Sequence, residues 1–198
     1  RKHVEEGRGW MMIRIVPMDR NHIELIAQRH LEHLRTRLHG IPGIRLLRLY
    51  YCALTDSTGG CGYTAVLDSA VAGFVCGVWS ERAILTQLRR QSAATLLFWS
   101  LCQALLRPRY LVDLLGRRSR SSSENNISSG YELRPLVVAP AARGRGIARC
   151  LVLRLLKDAR NRGYDAVHLY VEPDNWPAQQ LYQKLGFCDM GEVQHRGT

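Results

Sequence analysis

The pattern of hydrophobic and polar residues divides the first half of the chain into predicted strands and helices. Residues 12–16 alternate as a strand does, and apolar residues at helical spacing predict a helix from about Arg20 to Leu38. Gly40-Ile-Pro-Gly43 is expected to break that helix, and a second helix is expected over 44–54. This half of the chain therefore begins as a strand followed by two helices.

A predicted hairpin and a long helix follow. Residues 63–67 and 71–78 are typical of two antiparallel strands joined by a short turn. Residues 80–115 predict one long helix or a helix broken near Pro108. The polar segment 116–130 is predicted to be a flexible loop, either an ordinary connection or a lid over a binding pocket.

The second half has a more specific pattern, in which an apolar strand leads into glycines and then a helix. Bulky residues from Leu133 to Val138 favour a strand, and Pro140 ends it because proline has no amide hydrogen for the ladder. Gly144 and Gly146 follow. The helix behind them is amphipathic, with its apolar stripe at Ile147, Leu151, Val152, Leu155, Leu156 and Ala159.

A glycine turn in front of a helix can bind an anion. Glycine has no Cβ, so backbone amides approach a bulky group closely, and the first-turn amides and dipole of the helix favour negative charge. Arg143 and Arg145 add positive charge. A plain strand-to-helix connection is the alternative interpretation. The dinucleotide pattern G-x-G-x-x-G and the triphosphate pattern ending in G-K-[ST] are both absent from this turn.

The turn resembles the cofactor loop of the GNAT superfamily of N-acetyltransferases. That loop reads [QR]-x-x-G-x-[GA], and Arg143, Gly146 and Ala148 match it position by position. The similarity extends to a second strand over 166–171 and to the segment Pro177 to Phe187, which is similar to the closing helix of the superfamily. That helix is predicted from about Trp176 to Leu185, with Gly186 ending it before a further strand at Phe187.

The resemblance implies an α/β (α+β) fold with a mixed, mostly antiparallel central sheet, flanked by helices, in which two parallel strands splay apart after a bulge. It also implies acetyl-CoA or another acyl-CoA as co-substrate. The pyrophosphate would bind the amides of Arg143, Gly144, Arg145, Gly146, Ile147 and Ala148. The pantetheine arm would lie beside Val137 and Val138, and Asn175 would form a hydrogen bond with it.

The resemblance also suggests catalytic residues. Aminolysis of a thioester needs a neutral amine, stabilisation of an oxyanion and a proton for the departing sulfur. Tyr182 is the expected proton donor, although it can equally be an aromatic packing residue. A backbone amide near Val138 is the expected oxyanion donor. Glu132, eleven residues before Arg143, is the candidate base, with a solvated strand residue as the alternative.

The sequence thus predicts an N-acetyltransferase that moves an acetyl or short acyl group from acetyl-CoA to a primary amine, on a small molecule or a protein. A non-catalytic acyl-CoA sensor or partner module is the alternative. We expect a single domain over 12–198 preceded by a disordered extension over 1–11. A truncated chain and a partner that completes the sheet are both open explanations for the short segment after Phe187. A homodimer is therefore a candidate assembly.

Composition narrows the classes of binding partner and the cellular location that we expect for this protein. The net charge of +11 comes mostly from arginine, 25 Arg against 3 Lys, but no basic stripe is interleaved with aromatic residues, so nucleic-acid binding is not expected. The six cysteines have no C-x-x-C pair and look like reduced, buried thiols. The seven histidines lack metal-ligand spacing, so no bound metal is expected. No signal peptide or membrane span is evident, which predicts a cytoplasmic protein.

Overall fold

The structure is a computed structural model that describes residues 13–33, 40–67, 70–106 and 130–192, with backbone alone at 40–42 and 94–106. It contains five strands and five α-helices. In chain order they are β1 Ile13–Pro17, α1 Ile23–His33, α2 Gly40–Asp56, β2 Gly60–Leu67, β3 Ala70–Val78, α3 Glu81–Leu106, β4 Tyr131–Val138, α4 Ile147–Asn161, β5 Val167–His168 and α5 Trp176–Lys184, with a 3-10 turn at Pro140–Ala142 between β4 and α4.

The five strands form one sheet in the order β1-β2-β3-β4-β5. The first four strands pair antiparallel, and β4 and β5 pair parallel. This mixed, mostly antiparallel sheet flanked by helices confirms the predicted fold class.

Helices cover both faces of the sheet. On one face, α1, α2 and α3 pack on a core that includes Tyr51, Phe74 and Val137. On the other face lies α4, whose contacts run across four strands from β1 to β4. Its apolar stripe was predicted correctly: Ile147, Leu151, Val152, Leu155 and Ala159 are buried, and only Leu156 is partly exposed. These contacts hold the start of α4 at the end of β4.

Several element boundaries differ from the predictions. The segment Gly40 to Gly43 is the first turn of α2 and not a helix break, because a proline is tolerated where the amides have no intrahelical partner. Helix α3 is interrupted at Ser92, whose φ and ψ are −141° and 22°, whereas Pro108 lies outside the described residues. Strand β5 pairs over two residues only. No strand begins at Phe187 within 187–192.

The chain divides into two compact units, residues 1–168 and 169–198. The first contains the sheet and α1 to α4. The second contains α5. The predicted extension at 1–11, the turn residues Asp68 and Ser69 and the predicted loop over 116–129 lie outside the described residues. The single domain over 12–198 stays a prediction.

Candidate functional site

Strand β4 has an open edge beyond its first two residues. The parallel ladder with β5 consists of two register pairs, Tyr131 with Val167 and Glu132 with His168. Strand β4 itself continues to Val138. Within the described residues, the side of β4 that faces away from β3 therefore has no strand partner from Leu133 onward. Backbone groups on such an edge need hydrogen-bond partners from elsewhere.

A bulge lies in β4 at the same place. Leu136 pairs with Val75 and Leu133 pairs with Gly77, so three steps along β4 match two steps along β3. The extra residue falls at Arg134 or Pro135, and Pro135 has no amide to donate to the ladder. A bulge adds twist and turns a strand away from its neighbour. The bulge that the resemblance implied is therefore present where β4 and β5 stop pairing.

The alternation of the strand decides which backbone groups face the open edge. The Ala139 amide donates to the Ala72 carbonyl on β3 at 2.8 Å. Because the N–H and C=O groups of successive residues in an antiparallel pair point to opposite sides, Val137 turns its backbone to β3, and Val138 and Leu136 turn theirs away. The Val137 side chain is buried in the core. The amide of Val138 is thus available on the open edge, as the oxyanion prediction requires.

The turn after β4 has the geometry of an anion loop. Gly144 and Gly146 have φ values of 75° and 74°, in the left-handed region that glycine adopts most readily. Gly146 is the N-cap of α4, and no side chain caps the helix there. The first-turn amides of α4 and its positive dipole end thus lie at an exposed glycine turn.

Contacts with the rest of the protein anchor the turn on one side, and its other side is exposed. The buried side chain of Ile147 anchors the start of α4, and the Arg143 Nε atom donates to the Val138 carbonyl at 3.3 Å. Arg143 and Arg145 are both exposed. A Cβ built on Gly144 or Gly146 would meet no protein atom within 4 Å, so the space beside these two glycines is open. These residues fit a diphosphate group.

Glu132 lies in a cluster of charged residues on the face of the sheet that α2 and α3 cover. Its side chain is 12% exposed and forms an ion pair with Arg134, two residues along the strand. Arg134 also approaches Glu81 of α3 at 3.7 Å. Burial raises the pKa of Tyr50 on α2 to about 12, and the charges of Arg134, Glu81 and Glu132 act on it as well.

His168 is a member of this cluster that the sequence prediction missed. Its Nε2 atom is 3.8 Å from the Glu132 Oε2 atom. Its ring is next to Gly130, where a Cβ would meet the imidazole at 3.3 Å. The sequence carried a weak signal for it, because His168 is a polar residue inside an apolar strand.

In the second unit, the structure places Asn175 and Tyr182 on α5. Asn175 is the N-cap, and its side-chain carbonyl oxygen accepts the amide of Ala178 at 3.3 Å. Tyr182 is 9% exposed and packs edge-to-face on Phe187 with ring centroids 5.5 Å apart. Burial raises the pKa of Tyr182 to about 12, so the phenol is protonated at neutral pH. Gly186, at φ 88°, follows the helix as expected.

The structure brings together the predicted residues of the first unit. Glu132, Val137 and Val138 lie on β4, and the segment from Arg143 to Ala148 follows directly as the glycine turn and the start of α4. The predicted roles of Asn175 and Tyr182 stay predictions, since both residues belong to the second unit.

A second polar network, which the sequence did not predict, ties the far end of α4 to the sheet. Asp158 accepts hydrogen bonds from Tyr63 at 2.9 Å, Tyr131 at 3.0 Å and Arg162 at 2.6 Å. Burial acts to raise the pKa of Asp158, but these hydrogen bonds outweigh it and hold the pKa below its usual value. Burial also raises the pKa of the nearby Cys61 thiol to about 11.

The cysteine prediction was correct only in part. Cys76 is buried, and Cys52 and Cys61 are partly exposed, but Cys150 and Cys188 are exposed. Among the described residues, no three His, Cys, Asp or Glu side chains form a group that could hold a metal ion. In the same part of the chain, every helix is too short or too polar to cross a membrane.

Comparisons with solved structures agree on the fold. The aminoglycoside N-acetyltransferase AAC(6')-Iy in complex with CoA has a TM-score of 0.61 at 16% identity, over 98% of this chain and 99% of that one. A predicted acetyltransferase from Clostridium acetobutylicum, solved with acetyl-CoA, has a TM-score of 0.61 at 15% identity, over 94% of this chain and 96% of that one. The fold is thus that of the acetyltransferase class that contains these proteins.

Sequence comparisons find similarity to acetyltransferases over part of the chain. The family model "Acetyltransferase (GNAT) family" matches residues 121–187. Over 63 residues the chain is 44% identical to a mycothiol acetyltransferase of Jonesia denitrificans, and over 50 residues it is 50% identical to one of Saccharomonospora viridis. These segments cover 32% and 25% of this chain but only 20% and 16% of the relatives' lengths. Residues 121–187 are therefore similar to the GNAT acetyltransferase family, and the chain spans about a fifth of the length of these relatives.

Proposed function

We propose that this protein is an acyl-CoA-dependent N-acyltransferase that transfers an acetyl or short acyl group to a primary amine. The observation that carries the proposal is the order of features along one stretch of chain. A bulged strand with an open edge leads directly into two left-handed glycines at the uncapped start of a helix. Its relatives are named acetyltransferases, and two structural neighbours were solved with CoA or acetyl-CoA.

The glycine turn would bind the pyrophosphate of the acyl-CoA. The amides of Gly144 to Ala148 would donate hydrogen bonds, and the exposed guanidinium groups of Arg143 and Arg145 would add charge. Arg143 would also keep the turn against β4 through its bond to the Val138 carbonyl. No side chain competes for the amides by capping the helix.

The open edge of β4 would bind the pantetheine arm. Because Leu136 turns its backbone groups away from β3, it would pair with the amide groups of the arm, whereas the Val138 carbonyl already accepts from Arg143 and its amide would face the thioester. Val137 would contribute packing from beneath, since its side chain lies in the core. Asn175 would use its side-chain N–H donors, because the side-chain carbonyl oxygen already caps α5.

The reaction needs two proton movements and stabilisation of one oxyanion. The amine nitrogen attacks the thioester carbonyl, the carbon–sulfur bond breaks, and the products are an amide and free CoA. Glu132 would accept the proton that the amine loses, and the Val138 amide would donate to the oxyanion. Tyr182, whose phenol stays protonated at neutral pH, would give a proton to the sulfur.

Release of free thiol tests the proposal. The full chain is incubated with acetyl-CoA and, separately, an aminoglycoside (neamine), an amino sugar (glucosamine), a lysine amide and a peptide with an unblocked amino terminus. Thiol release that depends on one of these amines supports the proposal. The neamine arm is included because a structural neighbour was solved with an acetylneamine bisubstrate analogue of CoA.

The same experiment separates the enzyme from a binding module. CoA affinity measured by calorimetry, together with no thiol release from any amine, is the result expected of an acyl-CoA sensor and contradicts the catalytic proposal. Absence of CoA affinity contradicts both. Propionyl-CoA and butyryl-CoA, tested with the active amine, then define the acyl length.

A further inference from the structure

Glu132 and His168 occupy a particular place in the sheet. They are the last register pair between β4 and β5 before the ladder ends. The next residues of β4 carry the bulge and the open edge. The pair therefore lies where β4 and β5 stop pairing. Glu132 is on the same strand as the proposed oxyanion donor Val138.

Glu132 has little contact with solvent. Its side chain is 12% exposed, and Arg134 forms an ion pair with it. A proton taken from the acceptor amine must leave before the next turnover. A second group that carries it to solvent would make that step faster.

His168 has the properties of such a group. Its side chain is 33% exposed, more than that of Glu132, and its Nε2 atom is 3.8 Å from the Glu132 Oε2 atom. That distance is longer than a hydrogen bond and suits a bridging water or a small rotation of either side chain. Histidine is also the side chain that ordinarily changes protonation between pH 5 and 8.

We propose that His168 is the proton-accepting partner of Glu132, and this rests on the function proposed above. The proton moves from the amine nitrogen to the Glu132 carboxylate, then to the imidazole Nε2 atom, and then to solvent. No oxidant or further reactant is needed, and each step moves one proton.

The groups around the pair are consistent with this role. Arg134 and Glu81 form one ion-pair chain with Glu132, and Tyr50, whose pKa burial raises to about 12, stays neutral. Helix α1 also packs on β4. The titratable groups of α1 have partners of their own. Glu24 pairs with Arg48, Arg29 and His33 both pair with Glu32, and His30 is in hydrogen-bond contact with Tyr51.

Two variants test the proposal, His168→Gln and His168→Ala. Both are assayed in the full chain with acetyl-CoA and the amine that gives the fastest thiol release. We expect kcat near pH 7 to fall about tenfold or more while CoA affinity is unchanged. The pH profile of kcat should differ between the parent and both variants. Added imidazole should restore the rate of His168→Ala in proportion to its concentration, because the missing ring leaves room beside Gly130.

The matched control is His33→Gln. His33 also has a glutamate neighbour, Glu32 at 3.6 Å, but it lies at the end of α1. Its replacement should leave kcat and the pH profile unchanged, and imidazole should have no effect.

Two results separate failure of this inference from failure of the function. The role of His168 alone is overturned in two cases, provided that the parent releases thiol. In the first, both His168 variants keep the parental pH profile. In the second, imidazole does not restore the rate of His168→Ala. The comparable Glu132→Gln variant should then still lose activity. Absence of thiol release by the parent with every amine overturns the proposed function. Circular dichroism and the thermal midpoint check that each variant is folded.

Discussion

Burial keeps Tyr182 in the protonation state that its proposed role as an acid requires. The phenol is 9% exposed and its pKa is raised to about 12, so it holds its proton throughout the neutral range. A donor must be protonated when the thiolate leaves, and burial secures that state. The contact with Phe187 also makes Tyr182 a packing residue of the second unit. A substitution that keeps the ring separates the two roles.

Tyr182→Phe is predicted to lower kcat at pH 7 by about 100-fold, the size expected for loss of a general acid. The ring and its packing on Phe187 remain, so CoA affinity and the thermal midpoint should stay close to those of the parent. Steady-state kinetics and calorimetry with CoA measure the two quantities. Tyr170→Phe, at an exposed position in the same unit, is the control. A Tyr182→Phe enzyme with parental kcat would remove Tyr182 from the mechanism.

At the scale of elements, the site depends on the junction between β4 and α4. The bulge frees backbone groups, and the left-handed glycines turn the chain so that the amides of α4 face outward. Neither feature works alone, because an anion loop without an open strand edge would bind a phosphate but not an extended arm. The network at Asp158 holds the other end of α4 against β2 and β4.

Gly146→Val is predicted to weaken CoA binding at least tenfold. The new side chain would enter the open space beside Gly146, next to the proposed diphosphate site, and φ of 74° is also costly for a branched residue, by about 1–2 kcal/mol. Gly163→Val is a matched control, because Gly163 has φ of 83° with open space around it at the opposite end of α4. Both variants should lose stability, but only Gly146→Val should lose affinity by calorimetry. Equal CoA affinity in the two would refute the loop assignment.

Asp158→Asn is predicted to lower the free energy of unfolding at pH 7 by about 1–3 kcal/mol, the usual cost of breaking hydrogen bonds to a charged group. The folded-state pKa of Asp158 is lower than normal, so its contribution is present above the ordinary aspartate pKa of about 3.9 and is lost as the pH falls through the folded value. The difference between parent and variant should therefore shrink below about pH 4. Urea unfolding measures it, with the exposed Asp165→Asn as the control.

A constant difference across that pH range would show that the Asp158 carboxylate is not what joins α4 to the sheet. The loss would then come from packing around Tyr63 and Tyr131. An unchanged stability at pH 7 would contradict the network itself.

At the scale of the whole molecule, the net charge of +11 favours anionic ligands in general. The proposed site at the glycine turn would add specificity for a diphosphate, because backbone amides bind such a group by geometry as well as by charge. These two sources of affinity respond differently to salt, so they can be separated by measurement.

CoA at 100 times its dissociation constant is predicted to stabilise the full chain by about 2.7 kcal/mol, since it binds the folded state only. Thermal unfolding with increasing CoA, at 0.15 M and 0.5 M salt, measures the effect. Part of it should persist at the higher salt, whereas duplex DNA at 0.15 M salt should give no stabilisation. No shift with CoA, or a larger shift with DNA, would contradict the assignment of the positive charge to a CoA site.

Much of the fold and the loop was evident in the sequence. The apolar stripe of α4, the hairpin of β2 and β3, and the glycines of the turn are local features, and the left-handed conformations of Gly144 and Gly146 agree with the motif. The helix break expected at Gly40 was wrong, whereas the one expected near Pro108 lies outside the described residues. A proline in the first turn of α2 costs little, and the interruption of α3 at Ser92 has no glycine or proline to announce it.

The sequence by itself was enough to predict the family resemblance and to propose an anion loop with its residues, because these depend on spacing within a short segment. Only the tertiary structure decided which distant residues meet. Tyr63 and Asp158 are 95 positions apart, and Glu132 and His168 become neighbours only because β5 returns parallel to β4. Strand register depends on how the hydrophobic patterns of two strands match and on the connection between them, so neither strand alone specifies it. The contact between Glu132 and His168, where β4 and β5 stop pairing, follows from that register.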